Sequence, residues 1–99
     1  MRPALPLAAA LLFGGPAQAG LVGDACLALT SARPGIVLCG CLQFLADQDL
    51  DRADQRRVAA FFADPDKAEV ARRSTHPEDR EFWQRYSSFI VKAEALCRT

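Results

Sequence analysis

The stretch PEDREFWQRYSSFIVKAEALC, residues 77–97, decides the fold class. At about 100° per residue, Phe82, Tyr86, Phe89, Ile90, Ala93, Leu96 and Cys97 share one arc of a helix surface. Glu81→Arg85 and Glu94→Arg98 have the four-residue spacing of favourable ion pairs on the remaining surface. Trp83 falls at the edge of the arc, where its indole N–H can stay in water. Pro77 suits the first position of such a helix, and Thr75 with Glu78 has the spacing of a capping box. The stretch predicts a helix over Pro77–Cys97 that buries one stripe.

Working back from it, the chain is punctuated for helices throughout. Asp64-Pro65 ends one helix and starts the next, because the residue before a proline avoids helical geometry while Asp64 caps and Pro65 opens. The segment from Pro65 to about Arg73 is therefore a short helix. Asp51 is an N-cap for a helix whose buried side is Val58, Phe61 and Phe62, with Asp54 beside the positive end of the helix dipole. Ile36 to about Ala46 carries an apolar stripe of Val37, Leu38, Cys41, Leu42, Phe44 and Leu45, with Cys39 toward its edge. Asp24 caps a first helix running to about Ser31, and Pro34-Gly35 is read as a turn. Sustained alternation, Asn-Gly hairpin signals and β-branched runs are missing. The expectation is all-α: a compact bundle of four or five short helices.

Residues 1–19 read as a cleavable export signal. Arg2 supplies the positive start and Ala4–Phe13 the apolar run. Gly14-Gly15-Pro16 breaks the helix before Ala17-Gln18-Ala19, whose small residues suit signal peptidase. The run is too short to span a bilayer, which needs roughly 20 residues. There is no twin-arginine pair. The expected product is Gly20–Thr99, a single domain in the bacterial periplasm with no membrane span after cleavage. Losing Arg2 leaves 11 of the 12 Lys and Arg against 12 Asp and Glu, so no net charge draws the domain to nucleic acid or to an anionic membrane.

So small a domain has a thin stability margin, and an oxidising compartment lets cysteines supplement it. Four are present: Cys26, Cys39, Cys41 and Cys97. They permit three pairings. Cys41 and Cys97 both lie on apolar stripes, which favours Cys41–Cys97 with Cys26–Cys39, while exchanging the partners of Cys39 and Cys41 stays open. Cys39-Gly40-Cys41 also admits a bridge within the triplet, of the strained and reducible kind a thiol-disulfide exchange protein uses. Its neighbours Ile36, Val37, Leu38, Leu42 and Phe44 would raise a thiol's pKa, which opposes that chemistry.

Other constellations are incomplete. Asp47, Asp49, Asp51 and Asp54 begin like a calcium loop, but Arg52 stands where glycine is needed and Val58 where glutamate is needed. A single histidine, His76, leaves no His/Cys metal signature beyond the cysteines themselves. Nucleophile elbows, phosphate-cradling loops and dinucleotide fingerprints are missing. No catalytic residue, cofactor or metal is expected, and the chain is read as non-enzymatic. Arg52, Arg56, Arg57, Arg72 and Arg73 can form a basic patch or simply be solvated helix faces balanced by Asp54, Asp64, Asp66 and Glu69.

Cys39-Gly40-Cys41, Arg56-Arg57, the run Ala60-Phe61-Phe62-Ala63-Asp64-Pro65 and Phe82-Trp83-Gln84-Arg85-Tyr86 together carry a resemblance. The chain resembles short exported proteins of alpha-proteobacteria of uncharacterised function, some of which bear the label "arginine transporter". The resemblance implies family membership and no binding residues. A chain of this size without a spanning helix is no permease, and it is far smaller than a two-domain solute-binding protein. An accessory arginine-binding role would draw on Trp83 and Tyr86 with Glu78, Asp79 or Glu81. The leading expectation is a module that contacts another periplasmic or envelope protein, through the Phe61/Phe62 turn, the edge around Trp83, and Arg56 and Arg57.

Overall fold

The computed structural model describes residues 20–29 and 33–97, and every described element is a helix. In order these are α1 (Leu21–Leu27), α2 (Arg33–Asp49), α3 (Arg52–Ala63), α4 (Pro65–Arg73) and α5 (Pro77–Leu96). The export signal expected over residues 1–19 and Arg98 of the Glu94–Arg98 pair lie outside the described residues, and the first helix, expected to run to about Ser31, ends at Leu27.

The caps explain most boundaries. Asp51 Oδ1 accepts from the Asp54 N–H at 2.8 Å and opens α3. Asp64 accepts from the Asp66 N–H at 3.1 Å, and Pro65 follows as the first residue of α4. Three further boundaries differ from expectation. Pro34-Gly35 lies inside the first turn of α2, where a proline needs no N–H partner, so the pair starts this helix. Asp24 sits in the first turn of α1, and Gly20 is its N-cap. The Thr75–Glu78 capping box does not form, because Pro77 at the first helical position makes His76 the cap residue. Ser74 takes over there: its hydroxyl donates to Asp79 at 2.6 Å and accepts from the His76 N–H at 3.1 Å.

α1 packs against both α2 and α3, α5 packs against α2 and touches α3, and α4 closes the far end between α3 and α5. α2 and α3 are joined through side chains, chiefly the Gln43–Gln55 hydrogen bond at 2.9 Å. α2 and α5 run antiparallel, as Cys41 bonds Cys97 while Asp49, further along α2, pairs with Lys92 at 2.8 Å. The core gathers Leu45 and Ala46 of α2 and Leu50 just beyond it with Val58 and Phe61 of α3, and Phe82, Phe89 and Ala93 of α5.

Both cysteine pairs are bonded as periodicity favoured: Cys26–Cys39 with 5.5 Å between Cα atoms and Cys41–Cys97 with 5.7 Å. Helix geometry explains why the triplet bridge is not the one made. Residues two apart on a helix point roughly 200° apart, so Cys39 faces α1 while Cys41 faces α5. C-G-C within a helix thus sends two staples to opposite flanks.

The stripe read on α2 needs correction at three positions. Val37 and Phe44 are exposed, while Cys39 is fully buried. The side meeting α1 and α3 is Gly35, Cys39, Gln43, Ala46 and Leu50, and a glutamine at its centre hides it from an apolar pattern. Gln43 earns its burial through hydrogen bonds. Its Oε1 accepts from the Gly23 N–H at 2.7 Å, capping α1 in place of the side chain Gly20 lacks. Its Nε2 donates to Asp47 at 2.7 Å and to Gln55 at 2.9 Å. Gln55 Nε2 in turn donates to the Ala46 and Leu50 carbonyls, satisfying the end of α2. Gly20 is required where it stands: its φ is 100°, and a Cβ there would lie 2.5 Å from the Gln43 amide carbon.

Candidate functional site: an apolar trough beside an aromatic cluster

The residues proposed from sequence for an interaction surface do not form one surface. Phe61 is buried, as read for the inner side of its helix, while Phe62 and Trp83 are half-buried. Phe61 meets Phe82 and Tyr86 edge-on, with ring centres 5.8 and 5.3 Å apart, and Trp83 tilts against Tyr86 at 5.0 Å. Tyr86 thereby joins Phe61 to Trp83. Arg56 is exposed, and no ion pair holds it among the described residues.

Arg57 has an internal task. Its guanidinium lies 4.2 Å from the centre of the Phe82 ring and donates to Asp79 at 3.1 Å. The Ser74 hydroxyl and then Arg57 hold the Asp79 carboxyl below its ordinary range. An aromatic face and a carboxylate, the groups a bound arginine would seek, are here occupied by the chain's own arginine. Arg72 and Arg73 both engage Glu69 on α4, so the five arginines do not converge.

Arg85 likewise departs from its expected partner. It forms a two-pronged pair with Asp54 of α3, at 2.6 and 3.0 Å, instead of meeting Glu81 on its own helix. Asp54 is buried at the α3–α5 seam, where Arg85 meets it with two hydrogen bonds, so the tertiary pair replaces the local one. The remaining aspartates of the calcium-like run are also engaged: Asp47 with the two glutamines, Asp49 with Lys92, and Asp51 as a cap. Among the described residues no group of three or more His, Cys, Asp and Glu is placed to hold a metal.

What the helices leave open is apolar. Phe61 and Phe62 of α3, Pro65 and Ala68 of α4, Tyr86 and Ile90 of α5 and Leu42 of α2 surround a hollow of about 270 Å³. Leu42 and Ile90 also wall a neighbouring hollow of about 400 Å³ that extends to Leu38, Glu94 and Cys97. The two form one trough along the α2–α5 seam, from the α3–α4 corner to the Cys41–Cys97 bridge. Tyr86 is the titratable group of its deeper half, and burial raises its phenol pKa, so it stays neutral. Leu96, expected to be buried, is exposed at the trough's far end, because α5 finishes there and Cys97 alone turns back to α2.

Sequence reading found Phe62 and the aromatics but missed Leu42, Ala68 and Ile90 as one lining. The three sit on different helices, and nothing in the spacing along one helix reports a gap between several. Compared with family models, curated proteins and solved structures, the chain has no match.

Proposed function

We propose that this protein is a non-enzymatic interaction module of the bacterial periplasm, holding an apolar segment of another periplasmic or envelope protein. One observation carries the reading: four helices leave an open trough whose lining is almost wholly hydrocarbon. An apolar segment that fills such a hollow removes hydrocarbon surface from water on both sides of the contact, which favours binding. The walls are preorganised, since the Cys41–Cys97 bridge fixes one end and the Phe61–Tyr86–Trp83 contacts fix the other. Preorganised walls lose little entropy when a partner binds. The two disulfides fit an oxidising compartment.

The test is site-specific photo-cross-linking in living cells of the native host. A photoreactive phenylalanine replaces Ala68 in the trough or, as control, Arg80 on the exposed side of α5. The expected result is a discrete adduct from Ala68, lost when Leu42→Glu is added, and none from Arg80. Equal adduct patterns from both positions would remove the trough as the binding surface. Fractionation of the same cells checks the compartment, with a mature N-terminus at Gly20 expected in the periplasmic fraction.

A further inference from the structure

The side of α2 turned away from the trough carries a second apolar feature. Ile36, Val37 and Phe44 are 61, 67 and 62 % exposed, and Gly40 lies exposed among them. Arg33, Val37, Gly40, Phe44 and Asp47 follow one another at alternating steps of four and three, the spacing of a seam between two helices. Glycine inside a helix is destabilising relative to alanine. Packing within this molecule does not demand it, because a Cβ at Gly40 would meet nothing within 4 Å. Contact with another helix would, since a missing side chain lets a second backbone approach closely.

We propose that this face binds the same face of a second copy, α2 against α2, antiparallel, with Gly40 at the two-fold axis. The register argues for a second copy. Ile36 and Phe44 stand four residues either side of Gly40, and Arg33 and Asp47 stand seven either side. Antiparallel pairing about Gly40 places Ile36 opposite Phe44 of the other copy. It also places the Arg33 position opposite Asp47, and symmetry makes each pairing twice. Parallel pairing would oppose like charges at both ends. Asp47 has an oxygen to spare: Gln43 and Gln55 both donate to Oδ1, and Oδ2 has no partner among the described residues. A seam of one helix per copy is at the small end of specific interfaces, so the dimer is reversible and concentration-dependent. This face lies across α2 from the trough, and the inference does not rest on the function proposed above.

Sedimentation equilibrium on the purified protein, with both bridges intact, tests it from micromolar to millimolar concentration. The expected result is a monomer–dimer equilibrium that weakens with added salt. Gly40→Leu and Val37→Lys are each expected to raise the dissociation constant on the order of tenfold or more. The helical circular dichroism of dilute protein should not change. Should Gly40→Leu alter the fold, Val37→Lys, at a largely exposed position, still decides. A monomer at every concentration would overturn the proposal. So would a dimer indifferent to both substitutions, or a monomer that uses Val37 only to bind a different protein.

Discussion

Gln43 is the residue on which the upper half of the molecule turns. It is buried, and its one amide serves α1 through Gly23, α2 through Asp47 and α3 through Gln55. Replacing it with leucine keeps the volume but leaves the Gly23 N–H without its acceptor and Gln55 without its donor. Each orphaned buried group costs about 1–3 kcal/mol. Gln43→Leu is therefore expected to lose roughly 2–4 kcal/mol in denaturant unfolding, with amide exchange fastest in α1. Tyr86 gives a second prediction at this scale. Burial raises its phenol pKa above the ordinary value of about 10. The neutral form is the one favoured in the folded protein, so this contribution is complete below the unfolded pKa. It is lost as pH climbs through the folded value, because only the unfolded chain ionises easily. Stability should fall above about pH 10, and in Tyr86→Phe that part of the decline should vanish. Ultraviolet titration of the phenolate, beside melting curves for both proteins, reads it out.

At the scale of elements, α2 explains both what the sequence disclosed and what it withheld. Local signals placed Asp51, Asp64 and Pro65 because caps and proline breaks are decided within three or four residues. The 77–97 stretch was legible because its buried arc is apolar almost throughout. α2 resisted, since its most buried side is built around a glutamine while Ile36, Val37 and Phe44 face water. Periodicity therefore drew the stripe partly on the wrong side. Glu81 and Arg85 misled for a related reason: a four-residue pair on one helix cannot compete with the buried Asp54 carboxylate across the seam. The trough was illegible altogether, as it is a gap between four helices and not a property of any one. The disulfide pairing was favoured because helix phase separates Cys39 from Cys41, but the exchange of their partners stayed open because phase on one helix does not say which flank each neighbour occupies. Gly40 offers a prediction proper to this scale. With open space at its Cβ, Gly40→Ala removes a mid-helix glycine at no steric cost. In dilute solution it should stabilise the fold by about 0.5–1 kcal/mol, raising the melting temperature by roughly 2–8 °C. Scanning calorimetry at low protein concentration measures it.

For the whole molecule, the two bridges do unequal work. Cys26–Cys39 spans 13 residues and ties α1 to α2, whereas Cys41–Cys97 spans 56 and ties the last helix back to α2. Loop closure entropy in the unfolded chain makes the longer bridge worth about 4 kcal/mol and the shorter about 3. A domain of this size has a total of roughly 4–12 kcal/mol, so either loss is severe and the longer one worse. Their places in the fold sharpen the contrast. Cys97 directly follows α5 as its C-cap and walls the trough with Leu38 and Leu42, so cutting Cys41–Cys97 frees the trough's end as well as relaxing the chain. Cutting Cys26–Cys39 frees α1, which contributes no residue to the trough. Cys41→Ala with Cys97→Ala should therefore lower the guanidinium midpoint more than Cys26→Ala with Cys39→Ala. It should also weaken the Ala68 photo-adduct under conditions where the protein remains helical. The Cys26/Cys39 pair of substitutions should cost stability but leave that adduct in place. If both double variants lost the adduct equally while still folded, the trough would depend on α1 as much as on α5, and the division of labour between the bridges would be wrong.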